Sequence, residues 1–237
     1  MKRIIFTIVL LLFLTNLFGQ KTEYRVSLNS GLFSFSGIST LGMTSINYDA
    51  LTNSGYTNVP WGSKNAFCYG FSLKVERLTR LNFIFGFDLG FETLISKISI
   101  DTINSFDGFS TVKIGATGET FLKSNFINYN PFIGYRFRIK DFSFDLVGGF
   151  DVGHCLNTYE NGNATDSNGK DYTTSVSRKT IKNDYRARIQ FSTNYRRVGL
   201  YIGYSYGKTN YLSEMVGDAK YESYSRIIRF GVIYLIN

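Results

Sequence analysis

The stretch Asn82–Glu92 reads NFIFGFDLGFE, and its alternation is strict. Phe83, Phe85, Phe87, Leu89 and Phe91 take every second position, with Ile84, Gly86, Asp88, Gly90 and Glu92 between them. A period of two belongs to a β-strand, whose successive side chains point to opposite faces. This strand has one greasy face and one face of glycines and carboxylates. A soluble sheet would turn the aromatics inward, whereas a membrane barrel would turn them outward. The rest of the chain has to choose between these two.

The alternation recurs in eight segments: Glu23–Phe35, Ala66–Glu76, Leu81–Leu94, Phe121–Ile139, Phe142–Cys155, Asp184–Tyr195, Val198–Gly207 and Tyr224–Ile236. The connections Arg77–Arg80, Lys140–Asp141 and Arg196–Arg197 are tight. The others are long and polar: Ser36–Asn65, Ile95–Thr120, Leu156–Asn183 and Lys208–Ser223. Regular exchange of long and short connections predicts an all-β fold, a transmembrane up-and-down antiparallel barrel of eight strands. An even count places both termini on the short-turn side, the periplasm for an outer-membrane barrel. Ten strands is the alternative count. Lys97–Asp101 and Thr111–Ile114 also alternate, and would either lengthen two strands beyond the membrane or form an extra hairpin. Pro131 cannot donate to a ladder and predicts a bulge in the fourth segment. The long connections, such as Glu160–Gly169, have the Asn, Gly, Ser and Thr of solvated, mobile loops.

Composition agrees. The 237 residues include 22 Phe and 17 Tyr, with only 2 Pro, which favours strands. A mean hydropathy of -0.07 excludes a bundle of membrane helices. The first residues stand apart: Lys2 and Arg3, an apolar run from Ile4 to Leu14, then Asn16–Gln20. This reads as a secretory signal peptide over residues 1–19, cut before Gln20, which leaves 20–237 as the barrel domain. No Cys ends the run, so no lipoprotein anchor is indicated. Without Lys2 and Arg3 the balance is 24 basic to 18 acidic residues, a net charge of +6.

Sorting every strand by parity gives two unlike faces. One carries Tyr24, the Phe67–Val75 and Phe83–Phe91 rows and their counterparts through to Tyr234, with no charge inside these spans. The other carries Glu23, Arg25, Lys74, Glu76, Asp88, Glu92, Arg136, Arg138, Asp145, Asp151, Asp184, Arg186, Arg188 and Arg229, seven of each sign. The apolar set is too bulky for the inside of an eight-strand barrel, whose interior barely holds its own side chains. Tyrosines fall near the strand ends, as in the aromatic girdles of membrane barrels: Tyr69, Tyr129, Tyr185 and Tyr204 at one level, Tyr24, Tyr195 and Tyr234 at the other. The charged set is therefore expected to fill the lumen as a closed, paired network. Isolated buried charges cost too much, and so narrow a barrel leaves no open channel.

Candidates for chemistry are few. His154, the one histidine, falls on the outward face, followed by Cys155 and Leu156. Lipid A deacylases, also eight-strand barrels, use a His-x-Ser arrangement, and the serine is missing here. Cys68 and Cys155 fall on strands expected to lie far apart, so they read as two unbonded strand residues. No cluster has metal-ligand spacing, and Gly148–Gly149 lies in a strand with no helix after it to cradle phosphate. No cofactor is implied, and nucleic acid is a poor partner for an exported barrel. Lys170, Arg178, Lys179 and Lys182 suit contact with lipopolysaccharide phosphates, though solubility explains them equally well.

The segment ending Phe18-Gly19-Gln20, the eight alternating strands, the glycine-rich Phe144–Gly153 and the final Ile227–Ile236 together resemble the small outer-membrane β-barrel proteins of Bacteroidota, often grouped as PorT-like. The chain departs from the usual aromatic terminus by ending Ile236-Asn237. The resemblance implies assembly by the barrel insertion machinery, and the family's named member implies a role in protein secretion. From the residues themselves, the expectation is a non-enzymatic outer-membrane barrel with a structural or binding role, outer-membrane lipid and lipopolysaccharide around it, and a protein partner at its long loops.

Overall fold

The computed structural model describes residues 21–213 and 220–237; the signal-peptide reading lies outside the described residues. Among the described residues, eleven strands form one sheet. They are β1 (Lys21–Ser36), β2 (Met43–Asp49), β3 (Ser54–Thr57), β4 (Lys64–Leu78), β5 (Phe83–Phe106), β6 (Thr111–Ile139), β7 (Phe142–Asp166), β8 (Asp171–Ser177), β9 (Asn183–Tyr195), β10 (Val198–Gly207) and β11 (Tyr224–Leu235). Eight of them close a ring in the order β1-β4-β5-β6-β7-β9-β10-β11, and every neighbouring pair is antiparallel. The last ladder joins β11 to β1, so the ring has no edge.

The face assignment follows the parity. Phe83 and Phe87, and with them Leu73, Leu146, Ile189, Leu200 and Val232, are exposed on the outer wall. Arg136, Asp151, Arg186 and Arg229 are buried inside. Tyr24, Tyr195 and Tyr234 ring the short-turn end, and Tyr69, Tyr129, Tyr185 and Tyr204 the other, all exposed. This is the inside-out arrangement of an up-and-down membrane barrel: apolar side chains on the outside and charges in the lumen.

Three expectations need correcting. The first concerns the long connections, most of which are folded. β5, β6 and β7 run for 24, 29 and 25 residues, far beyond the 9–11 or so that cross a bilayer. Their upper halves occupy Ile95–Thr120 and the start of Leu156–Asn183. β8 pairs with the end of β7, β2 lies parallel to the end of β5, and β3 pairs with β2. The result is a turret on top of the barrel. Thus Lys97–Asp101 and Thr111–Ile114 lengthen barrel strands and do not add staves to the ring. Only Lys208–Ser223 keeps no strand among its described residues.

The second correction concerns Pro131. The β6–β7 ladder skips Asn130 and Pro131, yet the register is the same on both sides, from Tyr129↔Val152 to Phe132↔Gly149. The missing N–H is absorbed as a gap in pairing. The bulge lies higher, at Asn125/Phe126, where Leu156 is the extra residue on β7. It flips the parity of β7: Asp151 and Gly153 face inward below it, Thr158 and Glu160 above. The third correction is the first short turn. β4 continues to Leu78, which is buried against Ile84, Phe132 and Val147. The reversal is Thr79–Asn82, where the Phe83 amide donates to Thr79 Oγ1 at 3.0 Å and Asn82 takes a left-handed φ of 64°.

Candidate functional site: a sealed lumen beneath a folded turret

Ladder register places like charges side by side. Glu23 lies opposite Glu76, and Arg25 opposite Lys74, across β1–β4. Such neighbours repel unless counter-ions reach them from elsewhere. Arg136 does so from the far wall. Its guanidinium lies 2.9 Å from Glu23 and 2.6 Å from Glu76, and pairs with both oxygens of Asp145 at 2.6 and 2.9 Å. Arg25 completes the cluster, 2.7 Å from Glu23 and 2.9 Å from Glu76, and donates to Asn194 at 2.8 Å.

A second cluster lies nearer the turret. Arg229 grips Glu92 with two bonds of 2.6 and 2.8 Å and reaches Asp151 at 3.2 Å. Arg188 lies 3.4 Å from Asp151 and 3.8 Å from Asp88. Arg186 lies 3.3 Å from Asp184 and donates to Asn128 at 2.7 Å, and Asn128 donates in turn to Glu92 at 2.6 Å. Crowding dictates small neighbours. A Cβ on Gly153 would sit 2.3 Å from Arg186 Nη2 and 2.8 Å from Asn128 Oδ1. Between the clusters, Lys74 faces Asp88 across β4–β5 and places Nζ 5.0 Å from the centre of the Phe132 ring.

Of the fourteen charged residues expected in the lumen, the structure brings thirteen inside. Arg138 stands apart: it is exposed on the rim beside the Lys140–Asp141 turn and makes no ion pair among the described residues. The enclosed set is then seven carboxylates with six cations, Glu23 and Arg25 included.

Parity alone did not reveal what closes the lumen toward the turret. Above Leu32 the inward positions of β1 become Phe33 and Phe35. Phe33 packs edge-on against Phe35, Phe35 against Trp61 and Tyr211, and Trp61 against Tyr211, with ring centres 4.9–5.5 Å apart. Leu94, Phe126 and Ile227 pack around them. Tyr211 ties this plug to the ions below by donating to Asp184 at 2.8 Å. Cys68 is buried in the plug with Cys155 packed against it, and both are free thiols.

Above the plug, the turret has its own core of Ile46, Tyr48, Ile100, Ile103, Ala164 and Tyr172. β3 and β8 lie side by side without a ladder, so the turret would have an open seam. Buried Glu160 bridges it. Oε1 accepts from the amide and the hydroxyl of Thr57, both at 2.7 Å, and Oε2 accepts from Arg178 Nε at 2.7 Å. Arg178 Nη2 then donates to the Thr57 carbonyl at 2.6 Å. Sequence reasoning took Glu160 for loop and Arg178 for surplus charge. The bulge at Leu156 is the signal that would have turned Glu160 inward. Of the carboxylates that cap the turret's turns, Asp107 accepts from the amides of Phe109 and Ser110, and Asp166 from those of Asn168 and Lys170. These bonds hold both carboxyl groups below the ordinary carboxylate range.

His154 lies on the outer wall with Nδ1 3.0 Å from Asn183 Oδ1. Gly148–Gly149 lies within β7.

No family model matches the chain, and no curated protein matches it. Solved structures similar to it include neisserial surface protein A, at 12% identity over 90% of this chain and 98% of that one, with a TM-score of 0.34. Ail, the attachment invasion locus protein of Yersinia pestis, in complex with the heparin analogue sucrose octasulfate, is similar at 12% identity, covering 92% and 98%, TM-score 0.34. The outer membrane protease OmpT from Escherichia coli is similar at 12% identity, covering 91% and 96%, TM-score 0.40. At these scores the likenesses carry no argument, and the barrel assignment rests on the chain's own ladders and faces.

Proposed function

We propose that this chain is an integral outer-membrane barrel with a non-enzymatic, structural or binding role, and that the turret is its interaction surface. One observation carries the reading. The lumen is spanned wall to wall by ion pairs and stoppered by an aromatic plug, while the largest solvent-facing construction is a turret with its own core. A transport path would need these pairs and the plug to come apart, at a cost of several kcal/mol per ion. The start of β1 and the end of β11 meet at the short-turn end, where the Ile236 amide donates to the Tyr24 carbonyl. In an outer membrane that end faces the periplasm and the turret faces outward. Outer-leaflet lipid and lipopolysaccharide surround the wall, the barrel insertion machinery assembles it, and a protein partner docks on the turret. His154 bonds Asn183, and Leu156 stands where the His-x-Ser arrangement needs its serine, which leaves a lipid A-modifying role without support at that position.

The narrower reading is a PorT-like barrel of Bacteroidota acting as an accessory factor in secretion. It rests on the sequence pattern of the glycine-rich β7 and the final strand. Deleting the gene separates the two: loss of secreted cargo with an intact envelope favours the secretion factor, and unchanged secretion favours the structural or binding role. The membrane reading itself is tested by heat-modifiability of outer-membrane fractions on a gel. A folded barrel changes mobility on boiling, and recovery of the chain in the soluble fraction without detergent would refute it.

A further inference from the structure

On the outer wall, where β5, β6 and β7 leave the barrel for the turret, the apolar belt ends at a hydrogen-bonded row. Thr93 Oγ1 donates to Asn125 Oδ1 at 2.8 Å, and Asn125 Nδ2 donates to Asn157 Oδ1 at 2.7 Å. Below this row lie Phe91 and Ile127. Above it, solvent-type residues are expected, and instead apolar ones return. Ile95, Phe121 and Tyr159, with Phe67 and Tyr69 on β4, line a groove of about 520 Å³. The groove opens where the β4–β5 ladder is interrupted between Asn65 and Tyr69.

Its rim is cationic. Lys123 lines the groove, placed opposite Ile95 on β5 and Tyr159 on β7. Lys97 faces Phe121 across β5–β6, and Lys64 faces Lys97 across β4–β5. Lys97 and Lys123 are therefore diagonal neighbours, within reach of one ligand. Two of the three already have partners: Lys97 lies 3.1 Å from Glu119, and Lys64 Nζ donates to Ser99 Oγ at 2.5 Å. Lys123 is exposed and makes no ion pair among the described residues. With Glu119 counted, the rim carries a net charge of +2.

We propose that this groove holds one phosphorylated lipid of the outer leaflet. An acyl chain lies over Phe67, Ile95, Phe121 and Tyr159, and the phosphate rests on Lys123 with Lys97 and Lys64 behind it. Two observations select that occupant. The groove joins the lipid-facing wall along β4, where exposed Phe71, Tyr69 and Phe67 run past the polar row, so an acyl chain reaches it without crossing that row. The lysines begin just above the polar row, at the height where headgroup phosphates lie and each cation adds about 1 kcal/mol of attraction. The inference rests on the outer-membrane reading and on the turret facing outward.

The test uses the full mature chain, folded in detergent, with retained lipid counted by native mass spectrometry. The probes are bis-phosphorylated lipid A and the same lipid with its phosphates removed. The wild type should bind the phosphorylated form at least tenfold more tightly. Lys123→Gln should weaken it about fivefold, the equivalent of one headgroup contact. Lys170→Gln, the same charge change at the turret tip, should leave binding unchanged. Equal affinity for the two lipids, or equal losses at Lys123 and Lys170, would overturn the groove. Each variant is run boiled and unboiled on a gel first. A chain that shows no heat-modifiability sinks the barrel reading itself, whereas normal heat-modifiability with undiminished binding in Lys123→Gln sinks only this inference.

Discussion

Replacing Glu160 by alanine should open the turret and leave the barrel shut. The carboxylate accepts from the Thr57 amide and hydroxyl and from Arg178, at 2.7 Å each, and is itself fully enclosed. Hydrogen bonds to a charged group contribute about 1.5–3 kcal/mol each in a buried setting. The Arg178 bonds need discounting, because that side chain is 22% exposed and regains water when released. The Thr57 amide is different: no ladder partner waits on β8, so it is left unpaired. A net local loss of about 3–4 kcal/mol is the reasoned figure, falling on β3 and β8 alone. Neither strand belongs to the closed ring. Amide hydrogen exchange in detergent micelles reads this directly. Exchange over Ser54–Thr57 and Asp171–Ser177 should accelerate by two or more orders of magnitude, with β9, β10 and β11 unchanged. Unchanged exchange at Thr57 would refute the bridge, and loss of protection in β10 would refute the independence of turret and ring.

Three further outcomes follow from the same geometry. Phe87→Arg places a cation on the lipid face near mid-strand, at a cost of about 2–4 kcal/mol, and should abolish the heat-modifiable form that Phe87→Leu retains. Arg136→Ala leaves Asp145 with no ion pair among the described residues and takes from Glu23 and Glu76 one of the two arginines they share. A loss of about 3–5 kcal/mol should appear as a lower urea midpoint for barrel unfolding, and an unchanged midpoint would refute the lower cluster. The Asp107 carboxyl is held low by the Phe109 and Ser110 amides, so its contribution is fully present above the unfolded-chain value and is lost as pH falls through the folded one. The β5–β6 tip should loosen on acidification, measured as exchange at those two amides relative to the intrinsic rate, and Asp107→Asn should remove the pH dependence.

The barrel was legible because lipid imposes one rule on every strand. A side chain facing acyl chains must be apolar, so Phe83–Phe91 and the final Ile228–Ile236 could be phased without neighbours. That rule lapses above the membrane. The upper half of β7 alternates Glu160, Gly162 and Ala164 with Asn161 and Asn163, a pattern indistinguishable from loop composition. The parity switch at Leu156 also broke the run at the point where the strand continues. Phe33 and Phe35 were within the first segment, but their role needed Trp61 and Tyr211 from distant connections. Ion pairing was foreseeable as a class of solution and not as partners, since Arg136 reaches carboxylates on β1, β4 and β7 that only ring closure brings into range. Arg138 shows the limit of parity: it shares a face with Arg136 and lies one step too far toward the rim.

The ladder from Arg25↔Leu235 to Ser36↔Tyr224 joins the first strand to the last. No fragment released early during synthesis can close, because the partner of its opening strand has not yet been made. Until translation ends, β1 offers an unsatisfied backbone to whatever strand it meets. The chain must therefore be kept apart from its own copies all the way to the membrane. A stop codon anywhere before Tyr224 would yield a product that aggregates and never a smaller working barrel.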